Sequence, residues 1–220
     1  MAKKATETED GTVYGAVSNG AQNLIRLSEP YKAIVKIQGT EKLLLHSWNN
    51  EAIKAKSEAK RGSAQKKTDD IENYVQRDED GHIAIPTLNF CASIREAGRD
   101  YQDPSNPRKM FRDRLKAIVV PYKEWGKING GVKKWEEEDS RRVVIQKAGI
   151  TRTRPAFQKG WTIEFEIMVM APEYLSPELL RNIIDVAGLF QAIGDFRPTY
   201  GRYRVETFKT EKVLPGSNGQ

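Results

Sequence analysis

Cysteine occurs once in this sequence, at Cys91, and histidine only twice, at His46 and His82. A lone thiol cannot close a bridge within the chain, so packing alone must hold the fold, and a reducing compartment is expected. Neither histidine has a Cys or His partner at ligand spacing, so no zinc site is expected and no metal is assigned. The phosphate-loop pattern GxxxxGK followed by Ser or Thr is missing, as is GxGxxG, so nothing implies nucleotide hydrolysis or a cofactor. No apolar run approaches the roughly 18 residues of a membrane helix, and the opening MAKKATETEDG lacks the apolar stretch of a secretory signal. The expected location is the cytoplasm, with no membrane partner.

The most informative absence is local. From Ser140 to Ile163, SRRVVIQKAGITRTRPAFQKGWTI carries Arg141, Arg142, Lys147, Arg152, Arg154 and Lys159 without one Asp or Glu, although 30% of the chain is charged. A second acid-free run, FRPTYGRYRV from Phe196 to Val205, sets Arg197, Arg202 and Arg204 among Tyr200 and Tyr203. A third basic run, RKMFRDR, includes Arg108 and Arg112 but is diluted by Asp113. Cations without acids, interleaved with rings such as Phe157, are the footprint of a groove that follows a phosphate backbone and stacks bases. A net charge of +6 and a pI near 9.3 point weakly the same way. A solvated face is the simpler account of any one charged run; two runs with aromatics favour a polyanion.

Other candidates have cheaper explanations. Trp161 opens the buried register of a strand and reads as core. Cys91 falls on the apolar side of a helix, where a small hydrophobe is wanted. Asp69 and Asp70, or Asp78, Glu79 and Asp80, have the chemistry to bind a divalent ion for phosphodiester cleavage, yet caps and turns account for both groups.

The order of elements is legible from composition and period. Strands are expected at Lys32–Ile37, His82–Ile85, Lys116–Val120, Val143–Gln146, Trp161–Met170 and Arg202–Phe208. Thr68 should cap a short helix through TDDIENYV, Thr87 should cap TLNFCASIREAG, and Ser176-Pro177 should open a third helix that Gly188 stops. Glu41 to Lys67 is a polar, Lys-rich excursion, and Tyr122 to Asp139, ending in the acidic Glu136–Asp139, reads as irregular. The alternation points to an α+β fold, an RRM/ferredoxin-like split βαβ core with long inserted arms. The chain divides into a flexible segment 1–30, one domain 31–210 with insertions near 41–67, 99–114 and 122–160, and a flexible tail 211–220.

Three segments together resemble a known group: KIQGTEKLLLHSW (Lys36 to Trp48), DGHIAIPTLNFCASIREAG (Asp80 to Gly98) and LFQAIGDFRPTYGRYRVETF (Leu189 to Phe208). They look like a widespread set of phage and prophage proteins, itself similar in layout to the RAMP superfamily, the RRM-like backbone subunits of CRISPR effector complexes. The resemblance implies that the sheet and its insertions hold a nucleic-acid strand and that copies polymerise along it. By position it assigns His46, Lys54 and Lys56 to a first excursion, Ile85, Pro86, Asn89, Arg95 and Arg99 to the first helix region, and Arg197, Gly201, Arg202 and Arg204 to a C-terminal loop. That loop has fewer glycines here, and no catalytic histidine arrangement is evident, so processing-nuclease activity is not expected.

The expectation is therefore a non-enzymatic protein that binds single-stranded nucleic acid in a bacterial host cell and assembles as a homo-oligomer or helical filament, alone or with other subunits. Arginines of the arm and loop would hold phosphates, and bases would rest on Trp48, Phe157, Tyr200 or Tyr203. Two rivals stand beside it: a virion structural or assembly protein that binds no nucleic acid, and a metal-dependent nuclease using the acidic pairs. Composition does not separate RNA from DNA, because the choice rests on contacts to the 2′-hydroxyl.

Overall fold

Tyr31 to Gly39 alternates apolar and polar residues, and the structure, a computed structural model, turns this into a strand that buries Tyr31, Ala33, Val35 and Ile37 on one face. The structure describes residues 28–47, 58, 71–145 and 148–213. Trp48, Lys54, Lys56, Asp69, Asp70 and Lys147 lie outside them. In chain order the elements begin β1 (Tyr31–Gly39), β2 (Leu43–Leu44), β3 (Ala84–Pro86), α1 (Thr87–Ala97), β4 (Gln102–Asp103), β5 (Asn106–Met110) and α2 (Arg112–Ile118). There follow β6 (Val119–Pro121), β7 (Trp125–Ile128), β8 (Glu137–Ile145), β9 (Ala148–Phe157), β10 (Thr162–Val169), α3 (Pro177–Val186) and β11 (Tyr203–Lys212).

The main sheet runs β11-β1-β10-β7-β3, with β6 also on β10, and every pairing is antiparallel. Read through β1, α1, β6, β10, α3 and β11, the strands lie in the order fourth, first, third, second. That is the ferredoxin-like split βαβ arrangement. Val35 and Ile37 of β1 face Phe165 and Ile163 of β10, and Phe90 of α1 stacks on Phe165 with ring centroids 4.1 Å apart. Leu180, Ile183 and Ile184 of α3 complete the layer over this face. The α+β class expected from the sequence is the one observed.

Several local expectations change. Thr87 is not a cap: its amide already donates to the Glu124 carbonyl at 2.7 Å, so Pro86 takes the cap position and the Thr87 hydroxyl is buried without a partner. Lys116 to Ile118 finishes α2 instead of starting a strand, because Leu115 and Ile118 are buried on one helical side. Gly188 does not end a helix. The chain continues through a π-turn, and Gly188 is needed because a Cβ there would lie 2.2 Å from the Tyr203 carbonyl. Ser176 caps α3 as expected, accepting from the Leu179 amide at 3.2 Å.

The first acid-free run forms the β8–β9 hairpin, paired from Glu137–Ala156 to Ile145–Ala148. β2 joins its base through Leu43–Phe157 and Leu44–Ala156. Trp161 is core as expected, its indole N–H donating to the Glu41 carbonyl at 2.8 Å. Cys91 is half-buried against the core, and burial pushes its thiol up to about 12. Among the described residues no helix is long and apolar enough to cross a membrane.

Candidate nucleic-acid interface

The loop between α3 and β11 is built around backbone conformations that most side chains avoid. Gly194 and Gly201 have φ of 81° and 72°, and Ala192 and Phe196 hold φ of 55° and 54° despite their side chains. Such positions persist only where surrounding bonds impose them, and they gather at binding sites. Here the Asp195 amide donates to the Leu44 carbonyl at 2.8 Å, Gly201 to Lys42 at 2.8 Å and Ile193 to Gly201 at 3.1 Å. Strand β2 is thus the template that shapes the loop.

Arg154 of β9 anchors the same structure from the other side. It is only 2% exposed. Its Nε donates to Asp195 Oδ2 at 2.8 Å, Nη1 donates to the Thr153 carbonyl at 3.1 Å, and the guanidinium carbon lies 4.0 Å from the Tyr74 ring centroid. Burial alone would raise the Asp195 carboxyl, but the Arg154 and Phe196 N–H groups hold it below the usual carboxylate range. His46, whose ring is 5.6 Å from that of Tyr74, has its pKa lowered by burial and by the charges of Arg154 and Arg152.

Beside this anchor opens a cleft of about 550 Å³, lined among others by His46, Glu96, Phe190, Asp195, Phe196 and Arg197. Phe190 is 58% exposed, a large ring held out to solvent at the cleft wall. Glu96 in the lining forms ion pairs with Arg95, Arg99 and Arg112. Arg197 lines the cleft itself, and the two carboxylates of its lining are both paired, Glu96 with Arg95, Arg99 and Arg112 and Asp195 with Arg154, so these contacts set five guanidiniums against two carboxylates. A cleft with that balance attracts anions, and its walls concentrate the field.

The structure scatters the other expected contacts. Phe157 and Tyr203 are buried in the core, so neither offers a ring face to a base; Tyr203 alternates inward on β11, and Phe157 ends a fully buried stretch of β9. Tyr200 has one face taken by Arg141, 4.3 Å away, and Arg141 is itself clamped on Asp139 at 2.5 and 2.9 Å. Arg202 donates to the Pro198 carbonyl at 2.8 Å, and Arg204 to Gln38 at 2.7 Å on the sheet face away from the helices. Arg108 is exposed on the β4–β5 hairpin, while Arg142 and Lys159 are exposed on the β8–β9 hairpin and the turn after it. The acidic cluster is no free patch either: Lys42 pairs with Glu137 and Asp139, and Glu136 accepts from the Gln158 amide at 2.7 Å.

The open face of the sheet, where RRM proteins stack bases, is a set of ion pairs. Lys32 meets Glu166 and Glu211 at 3.4 and 2.8 Å, Lys36 meets Glu206 at 3.0 Å, and Lys123 meets Glu166. Asp78, Asp80 and His82 cluster with potential ligand atoms within 4.8 Å of one another, but the Lys127 ammonium sits 3.0 and 3.1 Å from the two carboxylates. Burial would raise Asp78, while bonds from Lys127 and His82 bring it down to about 2. A lysine therefore already bridges these two acids and offsets one of their charges.

Sequence reasoning missed Tyr74, Phe190, Asp195 and Phe196. Phe190 left one signal, since it follows Gly188 outside the apolar stripe of α3, and a large ring there has no helix face to join.

No protein-family model matches this chain, and no curated protein matches its sequence. Among solved structures it is similar in fold to a chain of the cryo-EM structure of the Type III-B Cmr-beta bound to cognate target RNA, with a TM-score of 0.53 at 10% identity. The match covers 84% of this chain and 61% of that one, so this chain spans less than two thirds of its neighbour. At this identity the likeness is one of fold alone.

Proposed function

We propose that this chain binds single-stranded RNA without cleaving it and works in several copies along the strand. The observation that carries the reading is the cleft between α1, the strained loop and His46, lined by Arg197 and by two carboxylates that Arg95, Arg99, Arg112 and Arg154 already pair. Arg197 and Arg152 contact phosphates, and Phe190 and Phe196 supply faces for bases. Arg154, Asp195 and Tyr74 hold the loop and do not touch the strand. RNA is preferred to DNA because the similar fold comes from a complex bound to target RNA. Copies aligned on one strand multiply weak single contacts through effective concentration.

The test is fluorescence anisotropy with labelled single-stranded RNA at low and high salt, with and without magnesium, the RNA being sized afterwards. The expected result is salt-sensitive binding of intact RNA that weakens in Arg197→Ala. Absence of binding would favour the virion-protein reading; shortening of the RNA with magnesium would favour the nuclease.

A further inference from the structure

The cleft mouth holds three guanidiniums on one carboxylate. Glu96 Oε1 accepts from Arg95 Nε at 3.1 Å and from Arg112 Nε and Nη2 at 3.1 and 2.9 Å, while Oε2 forms an ion pair with Arg99 Nη2 at 2.8 Å. The arginines come from two elements and the turn that follows the first: Arg95 from α1, Arg99 just beyond it and Arg112 from α2. All three side chains stay accessible, Arg99 at 60% and even the least exposed, Arg95, at 33%. One negative charge cannot balance three positive ones, and Asp113 acts on Arg112 through space. Each guanidinium has five N–H donors in a planar fork, and Glu96 engages one or two of each.

We propose that Arg95, Arg99 and Arg112 form a seat for a phosphate monoester, the terminal phosphate of an RNA strand lying in the cleft, with Glu96 holding the three guanidiniums in place when the seat is empty. The inference rests on the RNA-binding reading above and deepens it. An internal phosphodiester brings one charge and two free oxygens. A terminal monoester brings about −1.5 to −2 charges at pH 7 and three acceptor oxygens, one for each guanidinium fork. The seat is continuous with the strand path, because Glu96 lines the same cleft as Phe190 and Arg197. It therefore marks where a strand ends.

The experiment compares RNAs of one sequence carrying a 5′-phosphate, a 3′-phosphate or hydroxyls at both ends, measured by anisotropy with the whole chain. One phosphate-ended RNA should bind about tenfold more tightly than the hydroxyl-ended one, the gain of a charge-assisted contact pair. Arg99→Ala should weaken both and bring their ratio near one, and Arg95→Gln should do the same. Glu96→Gln should raise the ratio, because the competing charge is gone while an acceptor oxygen remains. Thermal melts establish that each variant is folded. Equal binding of phosphate-ended and hydroxyl-ended RNA would overturn the seat and leave the RNA-binding reading standing. A preference that survives both arginine variants would also overturn it, and failure of every RNA to bind would overturn both readings.

Discussion

Arg154 and Arg197 look alike in the sequence, each an arginine in an acid-free run, yet they do opposite work. Arg154 is buried on Asp195 and Tyr74, so Arg154→Ala leaves a carboxylate without its partner and should cost about 3 kcal/mol, read by urea denaturation. Charge reversal there would unfold the loop before it could report on binding. Arg197 is exposed; Arg197→Ala should change stability by less than about 0.5 kcal/mol while lowering RNA affinity several-fold. His46 adds a pH dependence. Its folded pKa lies below the unfolded value of 6.5, so the unfolded chain binds more protons as the pH drops through 6.5. Stability should be full above that value and decline beneath it, until the pH passes the folded value. Asp195, also depressed in the folded chain, adds a further loss below its unfolded value of 3.8. Melting curves from neutral pH to pH 5 should fall less steeply in His46→Asn; an unchanged slope would remove His46 from the account.

At the scale of elements, the loop and the hairpin differ in how rigidly they are held. Gly201 sits where a Cβ would lie 1.7 Å from the Ile193 carbonyl, at a φ of 72°. Gly201→Ala should therefore destabilise the protein by about 2 kcal/mol or more, the left-handed penalty plus the clash, and should weaken RNA binding by deforming the cleft. The outer part of the β8–β9 hairpin is held by its own pairing, with Val144 at 72% exposure. Replacing residues 142–151 by an Asn-Gly turn should leave the melting temperature within a few degrees and RNA affinity nearly unchanged, because Arg152 stays in place opposite Arg141. A large drop in melting temperature would mean that the tip packs on the body. These elements were unequally legible. The alternation of β1 and β10 marked them as half-buried strands, whereas Thr87 and Gly188 misled because Glu124 and Tyr203, far along the chain, had already met their local needs.

For the whole molecule, the excess charge matters only where it is uncompensated. If Arg99, Arg152 and Arg197 each neutralise one phosphate, the logarithm of RNA affinity should fall with the logarithm of salt at a slope of about −2. A slope near zero would sink the electrostatic reading altogether. What the sequence by itself determined was the α+β class and the split βαβ order, because burial at period 2 or 3.6 is written into neighbouring residues. The basic runs were equally visible, but whether a cation in them is free was not. Arg154 finds its acid 41 residues away, Arg112 finds Glu96 at 16 and Lys42 finds Asp139 at 97. Charges neutralise one another across a few ångströms of space, at whatever separation in the chain, so only the tertiary structure decided which arginines brace the cleft and which remain to meet a phosphate.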